Sequence, residues 1–140
     1  MLETPSVTQL SEVISHSIAP AFILGAVSGF ISVLVTRLNR IIDRCRWAQS
    51  TEPTMERHYP DLLALNRRAA LINHALFWSV ASALVTILLM ILAFTDAFLE
   101  LPHEKGVALM FAVALILFGV SLVNFALEIR IAIKDPNNYD

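Results

Sequence analysis

Arg37 and Glu128 each stand at the edge of a long uncharged run. Arg37 directly follows residues 18–36 and Glu128 directly follows residues 106–127, and neither run contains Asp, Glu, Lys, Arg or His. Asn73 and His74 precede a third such run, residues 75–95. A charge at the border of a low-dielectric region must reach water or find a partner, because an unpaired one there costs several kcal/mol. If the three runs pack as alternating antiparallel helices, these residues come to one depth. We therefore expect a buried polar layer of Arg37, Asn73, His74 and Glu128, with Arg37 as the first partner of the carboxylate and Arg40 and Arg68 as further choices. The competing expectation is that Glu128 extends to water beside Arg130, as long polar side chains near helix ends do.

Hydroxyls furnish the second candidate chemistry. Ser28, Ser32 and Thr36 recur every fourth residue and lead to Arg37 and Arg40; gathered around an axis, such a strip would line an ion path. The adjoining strip Ser17, Ala21, Gly25 and Gly29 has the same spacing. Small residues so placed let helices approach closely in lipid, where apolarity alone gives them no reason to associate. The two strips together cover a wide arc, so one would meet the chain's own second run, where Ser79, Ser82 and Ala83 are also small, and the other a neighbouring copy.

Enzymatic chemistry is not expected. No nucleophile has a base at the same depth, no Gly-rich phosphate loop is present, and the single Cys45 excludes an intrachain disulfide or a Cys-rich cluster. Glu12 and His16 are four apart and, with His103 and Glu104, form a weak candidate for a divalent ion; a solvated surface is the favoured reading, so neither metal nor cofactor is expected. Asp43, Glu52, Glu56 and Asp61 lie among the arginines without a stacking surface, which argues against nucleic acid. The same arginines suit anionic lipid headgroups.

These residues must be positioned by membrane helices. The chain has 140 residues, of which 56% are hydrophobic and only 16% charged, with a mean hydropathy of +0.66. Each uncharged run is near the roughly 20 residues needed to cross a hydrocarbon core, so spans of about 18–36, 75–95 and 106–127 are expected. Nine of the ten basic residues fall between the first two runs or after the third, leaving Lys105 alone on the other side. The positive-inside bias puts the N-terminus outside and the C-terminus in the cytoplasm. Residues 1–17 carry no Lys or Arg, so a cleaved signal peptide is not expected.

Leu10, Val13 and Ile14 share one face of an expected interfacial helix over residues 1–16, with a kink or fresh start at Pro20. Beyond Arg37, the stripe Leu38, Ile41, Ile42 and Cys45 matches Leu62, Leu65, Ala69, Ile72 and Leu76. Residues 37–73 therefore read as a cytoplasmic helical hairpin extending the first two spans, with its turn in residues 49–60. The fold class is all-α: an integral membrane domain, 17–140, with three transmembrane helices, an interfacial N-terminal helix and a cytoplasmic stalk.

Taken together, HSIAPAFIL (16–24), VTRLNRIIDR (35–44), RRAALINHAL (67–76) and LEIRIAI (127–133) resemble a family of small bacterial membrane proteins, domain of unknown function 2721. The resemblance implies a fold and a multi-pass location in the bacterial inner membrane. It carries no activity and no site residue. The leading functional expectation is a homo-oligomer in the lipid bilayer, its first helix lining an ion-conducting pore. The alternative is a non-conducting scaffold or accessory subunit that docks a cytoplasmic partner or anionic lipid through its arginine-rich stalk.

Overall fold

The computed structural model describes residues 7–50, 55–99 and 104–134, each stretch a single α-helix: α1 (Val7–Ser50), α2 (Met55–Leu99) and α3 (Glu104–Lys134). Each contains a segment long and apolar enough to cross a membrane, Ile14–Trp47, Leu62–Thr95 and Lys105–Lys134. The chain is thus a small, all-helical, multi-pass membrane protein. Helix α2 is central and packs on both neighbours, whereas α1 and α3 touch each other little.

The buried positions follow a seven-residue register. Helix α1 buries Pro20, Val27, Leu34 and Ile41, seven apart at every step, and α3 buries Ala114, Ser121 and Glu128 at the same spacing, then Ala132 one turn further on. On α2 the buried residues Arg68, Ile72, Ala75, Ser79, Ser82, Thr86 and Leu89 alternate steps of four and three. A helix turns once per 3.6 residues, so a 3.5-residue period keeps one narrow seam against a neighbour when the helices wrap gently around each other. Around Leu34, Ile41, Ile72 and Ala75 the seam is apolar, flanked by Phe30, Leu38, Cys45, Leu65, Ala69, Leu76 and Phe125. Toward the other end of the α2–α3 seam it is built from hydroxyls.

The structure departs from expectation in three places. Helix α1 runs from Val7 through Pro20 without interruption, so residues 7–16 are the first turns of α1 and not a separate helix; residues 1–6 lie outside the described residues. Proline removes one backbone donor and disfavours a helix interior, but Pro20 is itself buried at a seam position where packing holds the helical path. Likewise α2 begins at Met55, so residues 55–60, expected in the turn, are helical, and only 51–54 remain outside the described residues. Finally, Ser79 and Ser82 pack on α3, not on α1.

Candidate functional site

The two positions that border uncharged runs meet. Glu128, fully buried, accepts a hydrogen bond at Oε2 from Arg37 Nη1 at 2.9 Å. Its other oxygen, Oε1, accepts from Arg68 Nε at 3.2 Å and Arg68 Nη2 at 3.0 Å. Both carboxylate oxygens are thereby engaged by charge-assisted bonds, the strong kind in a dry setting. The two cations differ in setting. The Arg68 side chain is 10% exposed, while that of Arg37 is 41% exposed.

Each member is placed by its helix. Arg68 opens the α2 seam one turn before Ile72, and Glu128 stands seven residues after Ser121 on the α3 seam. Arg37 comes from α1, three residues after buried Leu34, and reaches across to α3. An aromatic cluster carries it there: Phe30 meets Phe118 and Phe125 edge-on, at 5.7 and 5.2 Å between centroids. The Arg37 guanidinium lies 5.2 Å from the centroid of Phe125, within range for cation–π attraction.

Asn73 and His74 do not belong to it. Both are exposed, and His74 Nδ1 bonds to the Ala70 carbonyl of its own helix at 3.0 Å. At about 100° per residue, the two positions between Ile72 and Ala75 point away from a seam that holds both neighbours. Depth along the membrane was readable from the runs; the direction around α2 was not. Arg68, held as a further choice, binds simultaneously with Arg37, and Arg40 is exposed.

A second polar group was not anticipated from the sequence. Ser79 Oγ and Ser121 Oγ are 2.7 Å apart, Ser121 Oγ donates to the Ala75 carbonyl at 2.5 Å, and Ser82 Oγ donates to the Ala114 carbonyl at 2.8 Å. Thr86 donates back to the Ser82 carbonyl at 2.8 Å. No buried side-chain polar atom among the described residues lacks a partner. The 4-3-4-3 spacing of Arg68, Ile72, Ala75, Ser79, Ser82, Thr86 and Leu89 was the available signal.

The strips on α1 fall elsewhere. Ala21, Gly25, Ser28, Gly29, Ser32 and Thr36 are exposed and Ser17 is half-buried. A Cβ added at Gly25 or Gly29 would meet nothing within 4 Å, so this face does not pack against the chain's own second helix. Ser32 Oγ donates to the Ser28 carbonyl at 3.2 Å and Thr36 Oγ1 to the Ser32 carbonyl at 2.8 Å. Ser32, Val33, Thr36, Arg37 and Arg40 line an open hollow of about 290 Å³ on this face. Of the weak metal candidates, His16 is exposed, whereas the side chains of Glu12 and Glu104 and all of His103 lie outside what is described. Among the described residues no three His, Cys, Asp or Glu side chains group as metal ligands.

A family model described as "Protein of unknown function (DUF2721)" matches residues 17–137. No curated protein and no solved structure matches the chain.

Proposed function

The chain belongs to the DUF2721 family, and on that premise we propose a homo-oligomer of the cytoplasmic membrane in which α1 of each copy faces a shared axis and lines an ion path. The observation that carries this reading is the uncovered small and hydroxyl-bearing strip of α1, from Ala21 and Gly25 through Ser28, Gly29, Ser32 and Thr36 to Arg37 and Arg40. The free face of α3 is bulky instead, with Leu109, Ile116 and Val123 exposed, as suits contact with acyl chains. Small residues gain little against lipid but permit close helix approach. Because the Ser32 and Thr36 hydroxyls donate to their own backbone, oxygen lone pairs remain available to water or ions along the strip. Exposed Arg40 makes its inner end positive, which favours anions, while Arg37 beside it is paired with Glu128.

In this reading the N-terminus is outside, residues 37–73 are cytoplasmic, and the chain has no catalytic role. The asymmetry of basic residues supports that orientation. A cysteine at Ser50 in a Cys45-free background should resist impermeant reagents in intact cells; ready labelling would reverse the topology.

Electrical recording of the purified protein in a planar bilayer tests conduction. Discrete current steps are expected, with Arg40→Glu shifting the reversal potential toward cation preference. Gly25→Leu with Gly29→Leu should lower the detergent-solubilised mass by forcing the helices apart, and an unchanged mass would refute the interface. Exposed Arg40 and Arg46 support a second reading, a non-conducting scaffold that docks a cytoplasmic partner. An intact oligomer that remains electrically silent would select it.

A further inference from the structure

A second basic surface lies on the opposite pair of helices. Arg67, Leu71, Leu127, Arg130, Ile131 and Lys134 line an open groove of about 280 Å³ along the α2–α3 seam. Arg67 and Leu71 are one turn apart on α2, and the α3 residues fall at intervals of three, one and three, so each helix contributes a single face. The helices are antiparallel, with Arg68 level with Glu128 and Ser82 with Ala114. Leu71 and Leu127 are therefore the deepest of the six, Arg67 and Arg130 come next, and Lys134 is the shallowest. The groove thus runs from apolar at depth to mainly cationic toward the end of the bundle, with Ile131 between Arg130 and Lys134. All three cations are exposed. Glu128, the carboxylate nearest to Arg130 in sequence, is turned inward and occupied by Arg37 and Arg68, so it does not neutralise Arg130; Asp135, beside Lys134, and the side chain of Asp61, before Arg67, lie outside what is described.

We propose that this groove is a binding site for an anionic glycerophospholipid, its phosphate held by Arg67, Arg130 and Lys134 and an acyl chain laid against Leu71 and Leu127. The order of polarity along the groove is that of a phospholipid standing in one leaflet. Basic pockets between membrane helices recognise such headgroups because the charge acts where water is scarce. A phosphatidylcholine headgroup brings its own ammonium to the cations and is disfavoured. Free phosphate has nothing to cover the two leucines, and an acidic peptide would use the cations without them. The site is separate from the α1 strip and stands whether or not the assembly conducts.

Native mass spectrometry of the detergent-purified protein, titrated with phosphatidylglycerol or phosphatidylcholine, tests the proposal. Phosphatidylglycerol should be retained preferentially, and inorganic phosphate should not displace it. Each cation near a membrane surface is worth about fivefold in affinity, so Arg130→Gln and Lys134→Gln should each weaken phosphatidylglycerol binding by about fivefold. The combined Arg67→Gln, Arg130→Gln, Lys134→Gln variant should lose about 100-fold. Arg46→Gln, an exposed charge on α1, should leave binding at the parental level. All three groove cations are exposed, so the variants should melt like the parent in phosphatidylcholine; if the triple variant does not, the single variants decide. Equal retention of the two lipids, displacement by inorganic phosphate, or parental binding by the groove variants would each overturn the site.

Discussion

The α2–α3 seam and the outer strip of α1 use the same kinds of residue in opposite ways. Ser79, Ser82 and Ser121 bond across to another helix or its backbone, while Ser32 and Thr36 bond back to their own. Both solutions satisfy the hydroxyl hydrogen, as any polar group in a medium without water requires. Only the first also fixes a neighbour. The difference teaches that a hydroxyl in a membrane helix does not by itself declare a contact. To act between helices it must fall on the seam and reach the neighbour, as Ser121 does midway between Ala114 and Glu128; Thr86 lies on the seam and still bonds back to Ser82.

The largest expected effect breaks the interhelical side at its most charged point. Glu128→Ala leaves two arginines facing each other without their shared carboxylate, and losing one partner of a buried ion pair costs about 3–5 kcal/mol. Unfolding in mixed micelles reads this directly, and a variant as stable as the parent would remove the layer from the account of stability. Exchanging the charges, Arg37→Glu with Glu128→Arg, should recover part of the loss only, because the cation brought to position 128 meets Arg68.

The two arginines sharpen the contrast between buried and half-exposed partners. Arg68→Ala should cost about 3 kcal/mol, as expected for a buried pair, and Arg37→Ala about 1 kcal/mol, since solvent and headgroups screen a side chain that is 41% exposed. Equal losses would show that both cations are held in the same environment.

Ser121→Ala should come next, at about 1–2 kcal/mol, because it removes the donor to Ala75 and the partner of Ser79 at once. On α1, Ser32→Ala and Thr36→Val should each change stability by less than about 0.5 kcal/mol, since the carbonyls they free remain bonded within the helix. A loss at Thr36 matching that at Ser121 would mean that the outer strip holds an interhelical contact of its own.

Much of the architecture was legible because membrane insertion is a one-dimensional problem. Three uncharged runs of sufficient length give three spans, and their ends give depth, so Arg37 and Glu128 could be assigned to one level before any coordinates. The stripe Leu38, Ile41 and Cys45 against Leu65, Ala69 and Ile72 was equally visible, since polar residues on the far side of those helices mark the inward face; Ile42, counted in the same stripe, is exposed. Within the spans that contrast vanishes. Lipid is as apolar as the core, the helices are apolar all round, and no amphipathic pattern reveals which side faces protein.

The sequence by itself therefore determined the number of helices, their extent in depth and the polar residues stranded at the border. Tertiary structure alone decided rotation about each axis: that Arg68 rather than Asn73 or His74 turns inward, that Ser79 and Ser82 meet α3, and that Gly25 and Gly29 stay uncovered. The reason is steric and electrostatic together. Burying Glu128 between two arginines fixes where α1 and α2 must present them, and the seven-residue register then carries that choice along the length of every helix.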